Sequence, residues 1–339
     1  MTMSEPAMPA MHLPSRFSFS LVRRCAAVLV LGIAAVSLTA CGERKQMLSI
    51  GTGGTGGVYY PLGGGLANLL SARLNGYQVG AEVTGGAIDN LKLIGAKSAD
   101  LAFVMVDVAW DAHEGRDKFA SGKLPVRTLA VLYPNRMHVA TVEGTGIAAM
   151  TDLKGKRVGV GSAGSATEVM ALRVLEAYGL RESIVRERLS VAESVNAIKD
   201  GKIDAFFWAG GLPTAAVSDL AATPGTKLRL IDHADVVDKM NARYGPLYGT
   251  GTISKDVYPG MAGDNRNATA WNILIAHGDM SDGLAYAIVK VLFEHTPELV
   301  AVHKEAANIT LANQTAKLSV IPFHPGAARY LRERGVTID

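Results

Sequence analysis

Glycines 51, 53 and 56 lie in the run GTGGTGG, between the apolar residues 47–50 and the stretch VYYPL at 58–62. They satisfy G-x-G-x-x-G, the spacing of a dinucleotide-binding loop that joins a strand to a helix. Backbone N–H groups at a helix start carry the positive end of the helix dipole and can hold any anion. Glycine lets that anion approach the backbone closely. The partners a nucleotide needs are missing. No Lys-Ser or Lys-Thr follows, as a P-loop requires. Glu82 lies near the place where a ribose-binding acid would end the second strand, but Val83 and Thr84 read as the same strand continuing. Gly159, Gly161 and Gly164 repeat the spacing without any matching acid. The chemistry that remains is capture of an anion by neutral donors. Thr52, Thr55 and Thr84 near the first loop, and Ser162, Ser165 and Thr167 in the second, supply hydroxyls for it. The same residues are also favoured N-caps.

Other reactive side chains are weighed against ordinary structural roles. Tyr59 and Tyr60 open the helix after the glycines; Tyr59 is the expected pocket wall and its neighbour a core residue. Glu168 can close a capping box with Ser165 or pair with a ligand ammonium. Asp107 and Asp111, spaced i, i+4, suit capping or solvated positions better than acid–base catalysis, with Asp107 on a loop expected at the cleft. Trp208 either covers the ligand or is buried at a strand end. Tyr133, Arg136 and His138 are hinge or pocket candidates, the arginine being able to clamp a carboxylate. The histidines at 113, 138, 233, 277, 295, 303 and 324 show no H-E-x-x-H spacing, so a metal site has no support. A G-x-S-x-G nucleophile elbow is also missing.

These residues need strands and helices to hold them, and the pattern supplies the set twice. Residues 48–50 and the helix-like VYYPLGGGLANLLSARL are echoed by 157–160 and the helix-like ATEVMALRVLEAYGL. Each unit is followed by a strand, a loop, an amphipathic helix and a further strand: 77–83 then 100–104 in the first, 189–191 then 204–208 in the second. Alternation at this spacing predicts parallel sheets with crossover helices. The repetition predicts two similar α/β lobes, with the loops at the carboxyl ends of their strands around one cleft. The chain is expected to cross outward through 126–142 and to return near 244–253. Residues 271–308 read as helices, and the last twenty or so as a closing helix.

The first 40 residues read as an export signal. Arg16, Arg23 and Arg24 precede the uncharged CAAVLVLGIAAVSLTA, a basic n-region and an apolar h-region. Leu38-Thr39-Ala40-Cys41 resembles a bacterial lipobox, which predicts lipid attachment at Cys41. Lys+Arg number 34 against Asp+Glu 31 for a net charge of +3, without long basic runs, so nucleic acid is not an expected partner.

The segments IGTGGTGGVYYPLGGGLANLL, AEVTGGAIDNLKLI, ADLAFVMVDVAWDA, DLKGKRVGVGSAGSATEVMA, GKIDAFFWAGGLP and IPFHPGAARYLRERG resemble the TAXI-type solute receptors of tripartite ATP-independent periplasmic (TRAP) transporters. AGSATE stands where PGSGTE is common, and the bulky Trp208-Ala209-Gly210-Gly211 replaces a Val-Thr-type continuation. The resemblance implies a two-lobed, type II-like periplasmic binding protein fold. It implies no enzymatic activity and no cofactor, capture of a glutamate-like amino acid, dicarboxylate or 2-oxo acid by hinge closure, and delivery to a TRAP permease. The expected organisation is 1–40 signal peptide, 41–46 anchor and linker, 47–132 with 252–339 as one lobe, and 133–251 as the other, in a monomeric, lipid-anchored periplasmic protein. Expected ligand contacts are Thr52, Gly53, Thr55, Gly56, Tyr59, Thr84, Gly86 and Asp107 from one lobe, and Ser162, Ser165, Thr167, Glu168, Trp208 and Gly210 from the other. Two alternatives are an exported NAD-type oxidoreductase using the glycine loop, and a structural or immunogenic surface lipoprotein without a transport ligand.

Overall fold

The computed structural model describes residues 45–338; the expected signal peptide and Cys41 lie outside the described residues. Ten strands follow in chain order: β1 Gln46–Gly51, β2 Tyr77–Glu82, β3 Leu101–Met105, β4 Val126–Val142, β5 Arg157–Gly159, β6 Val185–Glu187, β7 Ala205–Gly210, β8 Leu228–Leu230, β9 Gly249–Ile253 and β10 Asn265–His277. They hydrogen-bond in the order β2-β1-β3-β10-β4-β7-β5-β6, with β8 on β4 and β9 on β10. β1 lies parallel to β2 and β3, and β5 lies parallel to β6 and β7. The sequence echo is thus a pair of parallel three-stranded sets, one on each side of the antiparallel strands β10 and β4.

Those two strands are shared. Val126 to Arg136 of β4 pair with β10, and Arg136 to Thr141 pair with β7. Asn272 to Ala276 of β10 pair with β3, and Asn265 to Thr269 pair with β9. The outward crossing is therefore one unbroken strand. The return passes through β10 and not through 244–253, and residues 271–277, expected as helix, are its second half. A second correction concerns 189–191. The strand is Val185–Glu187, and Ser190 caps the helix Val191–Lys199 in a reciprocal capping box. Ser190 Oγ accepts from Glu193 N at 3.3 Å, and Glu193 Oε2 accepts from Ser190 N at 2.8 Å. The S-x-x-E signature outweighs the β-branched residues beside it.

Packing sets where the first loop ends. In the helix Tyr59–Arg73, Leu62, Leu66, Leu69 and Leu70 are buried, recurring at helical spacing on one face. Each such leucine contributes roughly 1.5–3 kcal/mol. Gly63 permits the close approach, since a Cβ there would sit 2.5 Å from Thr52 Cγ2 and 3.3 Å from the Phe103 ring. All five residues of β3 are buried, as expected of an inner strand covered on both faces.

Candidate ligand-binding site

Loops at the carboxyl ends of β1, β2, β3, β5, β6 and β7 lie around a cavity of about 60 Å³, and the middle of β4 also contributes to its lining. Two lobes in contact form its walls. Ile88 N donates to Gly164 O at 3.0 Å, and Ser162 Oγ donates to Gly85 O at 3.3 Å. Gly57 lies against the Trp208 indole, where a Cβ would come within 2.9 Å. Gly86 has φ +122° and lies against Ser165, so a side chain there would meet both backbone strain and its neighbour.

Five helices begin at this cavity: Tyr59–Arg73, Ala87–Gly95, Val106–Glu114, Ala166–Ala177 and Val191–Lys199. Four carry an acid in the first turn, Asp89, Asp107, Glu168 and Glu193 respectively. The helix Tyr59–Arg73 has neither a first-turn acid nor a side-chain cap. Its N-terminal donors therefore form the least compensated positive end at the cavity. Among the described residues the lining contains no charged side chain.

Of the expected contacts, Gly53, Tyr59, Gly86, Ser162, Ser165, Thr167, Trp208 and Gly210 line the cavity. Thr52, Thr55, Gly56, Thr84, Asp107 and Glu168 lie outside its lining. Most of the threonine and serine hydroxyls are already committed to the protein. Thr52 Oγ1 donates to Glu82 O at 2.5 Å, and Thr84 Oγ1 accepts from Gly86 N at 3.1 Å. Ser165 Oγ donates to Ser162 O at 2.7 Å and accepts from Glu168 N at 3.1 Å. Thr167 Oγ1 accepts from Ala209 N at 3.3 Å, and Thr55 is exposed. Gly56 instead packs towards Ala192 and Ala216. Glu168 Oε1 takes a 2.6 Å ion pair from Arg188.

Asp107 and Asp111 are not solvated. Both are buried and meet Arg173 from the facing helix Ala166–Ala177. Arg173 Nη2 pairs with Asp111, and its Nη1 donates to Tyr248 Oη at 2.8 Å. Tyr248 Oη in turn donates to Asp107 Oδ2 at 2.9 Å. Burial pushes the Asp111 carboxyl up to about 6 despite the arginine. These residues tie one lobe to the other beside the cavity.

The cavity floor comes from the shared strands. At Asn272 the pairing of β10 with β4 slips, Trp271 facing Pro134 and Ile273 facing Val131, an irregularity of the kind that bends a strand. Asn272 Nδ2 donates to Tyr133 O at 2.9 Å, while its Oδ1 accepts from Asn135 Nδ2 at 3.0 Å and from the Tyr59 hydroxyl. Tyr133 and Asn135 line the cavity. Tyr133, named from the sequence as a hinge or pocket residue, is joined there by Asn135 and Asn272. For Asn135 the only local signal was Pro-Asn inside a β-rich run, and Asn272, which follows Trp271, carried none. Of the other two hinge candidates, Arg136 pairs with Glu305 at 3.0 Å. His138 is buried behind Trp208, with Nδ1 3.1 Å from Trp208 O and Nε2 2.9 Å from Tyr258 Oη. Burial lowers its pKa to about 4, so the ring is neutral at pH 7.

The dinucleotide reading gains one feature and loses a larger one. β2 does end at Glu82, as that fingerprint asks. Yet the mouth of the glycine loop is covered by Trp208, Ala192 and Ala216, and about 60 Å³ does not admit a dinucleotide.

Two α/β lobes joined by shared strands, with a cavity between them, define the fold of the periplasmic solute-binding proteins. The chain belongs to the NMT1-like family, whose model matches residues 50–335. Among solved structures, a protein from Bordetella bronchiseptica RB50 aligns with TM-score 0.50 and 20% identity, covering 85% of this chain and 89% of that one. The periplasmic aliphatic sulphonate binding protein SsuA from Escherichia coli aligns with TM-score 0.47 and 19% identity, covering 85% and 83%. Identities this low bear on fold, not on ligand.

Proposed function

We propose that this protein is an extracytoplasmic receptor that captures a small organic anion by closing its lobes, then delivers it to a membrane permease. The observation that carries this reading is the uncompensated start of the helix Tyr59–Arg73 at the cavity between the lobes. An anion placed there gains from backbone donors without a fixed countercharge, which suits binding followed by release. Ligand contacts proposed on this geometry are Gly53, Tyr59, Gly86, Ser162, Thr167, Trp208 and Gly210. The lobes would turn about Tyr133 in β4 and Asn272 in β10, and the permease would be of the TRAP type that the sequence segments resemble. Export and lipidation at Cys41 would hold the receptor at a bacterial membrane on the periplasmic side. The chain binds its ligand without transforming it.

A thermal-shift screen tests the reading with acidic amino acids, dicarboxylates, 2-oxo acids, small monocarboxylates and nicotinamide nucleotides. A ligand at 100 times its Kd adds about 2.7 kcal/mol of stability, visible as a rise of a few degrees in Tm. Stabilisation by a small acid and not by nucleotides is the expected result. A response confined to nucleotides would replace the receptor with the oxidoreductase, and silence across the panel would favour a lipoprotein with no transport ligand.

A further inference from the structure

Trp208 stands where the second lobe closes on the first glycine loop. A Cβ on Gly57 would come within 2.9 Å of Trp208 Cη2 and 3.1 Å of its Cζ2. The six-membered edge of the indole therefore lies beside the residue that precedes Val58, the N-cap of the helix Tyr59–Arg73. The side chain is half-buried and lines the cavity. It is also the one bulky side chain that its lobe places there. The other lining residues from 161 to 210 are glycine, alanine, serine, threonine and Val191.

Four hydrogen bonds hold the indole in a closed ring. Trp208 Nε1 donates to Thr214 Oγ1 at 2.8 Å, and Thr214 N donates to Tyr258 Oη at 3.1 Å. His138 Nδ1 lies 2.9 Å from Arg136 O and 3.1 Å from Trp208 O. Carbonyl oxygens only accept, so Nδ1 carries the proton and Nε2 accepts from Tyr258 Oη at 2.9 Å. The ring runs head to tail from the indole N–H back to the carbonyl of the same residue. Thr214, Tyr258 and His138 are each 0% exposed. Gly210 completes the seat, since a Cβ there would lie 2.2 Å from Trp208 Nε1. Hydrogen-bonded chains in a dry interior strengthen one another, which makes the indole a wall that does not yield to a ligand.

At about 60 Å³ the cavity is smaller than the ~150 Å³ that holds a benzene. We propose that Trp208 sets the length of the ligand: its fixed indole bounds the cavity beside the start of the helix Tyr59–Arg73, admitting short-chain organic acids and excluding longer ones. Thr214 is a positioning residue that acts through the indole. This rests on the receptor reading and adds a size limit to it.

Calorimetric titration of the purified protein with acetate, propionate, butyrate, hexanoate and octanoate tests the assignment. The parent is expected to bind hexanoate and octanoate at least about tenfold more weakly than its best short acid. In Trp208→Ala the trend reverses, and affinity rises roughly fourfold for each methylene added between butyrate and hexanoate. Thr214→Val leaves the indole in place without its anchor and is expected to bind hexanoate at least about tenfold more tightly than the parent. Thr214→Ser, which keeps the hydroxyl, restores the parent profile. A parent affinity that keeps rising to octanoate, or a length profile that neither Trp208→Ala nor Thr214→Val alters, would overturn size selection and leave an anion receptor standing. An equal loss for all five acids in both variants would do the same. Binding of no acid by the parent or the variants would overturn both.

Discussion

Asn272 satisfies three buried groups where the chain passes between lobes: Tyr133 O, Asn135 Nδ2 and the Tyr59 hydroxyl. Asn272→Ala strands all three, and each unmet buried group costs about 1–3 kcal/mol. We expect a loss of at least about 3 kcal/mol, read as a lower urea midpoint; an unchanged midpoint would mean water replaces the amide. Gly57 makes a different residue-scale prediction. Its Cα faces the Trp208 indole, which is held by a 2.8 Å bond from Nε1 to Thr214 Oγ1. A methyl group at 2.9 Å from that ring must push the lobes apart. Gly57→Ala should therefore weaken ligand binding by about tenfold while barely altering Tm without ligand. A matching fall in both would assign the glycine to folding alone.

Between elements, the helices Val106–Glu114 and Ala166–Ala177 are coupled by Arg173. The guanidinium is 3% exposed at the residue level and lies 4.3 Å from the Tyr244 ring centroid. Arg173→Met leaves Asp107 and Asp111 facing each other in a buried setting, for which removal of one partner typically costs about 3–5 kcal/mol. A variant as stable as the parent would show that the two carboxyls take up protons at little cost.

Titration in this region works in two directions. The folded pKa of His138, about 4, lies below its ordinary value of about 6.5. Its contribution to stability is present above pH 6.5 and is lost as pH falls through about 4. Asp111, raised to about 6, contributes most below its ordinary value of about 3.8, and that contribution is lost as pH rises through about 6. The two oppose each other, so each is read from a variant. His138→Gln should flatten the decline of Tm on acidification from pH 7 to pH 4.5, and Asp111→Asn should steepen it. Parallel curves for parent and variants would remove both groups from the balance.

For the whole molecule, closure places Ile88 N on Gly164 O and Asp89 N on the same oxygen at 3.4 Å. If ligand favours the closed state by satisfying donors from both lobes, amide exchange at Ile88 should slow when ligand is added. Exchange in β3, buried within one lobe, should not change. Equal protection of Ile88 with and without ligand would mean that the closed arrangement is the resting one and that ligand enters by another route.

Local pattern was enough for the doubled strand–loop–helix units, the glycine loops and the helix starts. Period-2 and period-3.6 spacing, caps and glycine clusters act over a few residues and can be read there. The capping box at Ser190 and Glu193 was equally local, and only the β-branched Val191 obscured it. Tertiary structure alone decided which polar side chains meet at the floor of the cavity. Tyr59, Tyr133, Asn135 and Asn272 meet only because β10 pairs with β4 across more than a hundred residues and slips at one position. The same is true of Asp107, expected at the cleft, and Asp111, expected in a capping or solvated position, which meet Arg173 only because two helices from different lobes pack together. Whether a hydroxyl caps its own helix, bonds across the cleft or stays free depends on which backbone group the fold brings within about 3 Å. That distance is set by lateral sheet pairing and lobe closure, and neither leaves a periodic trace in the chain.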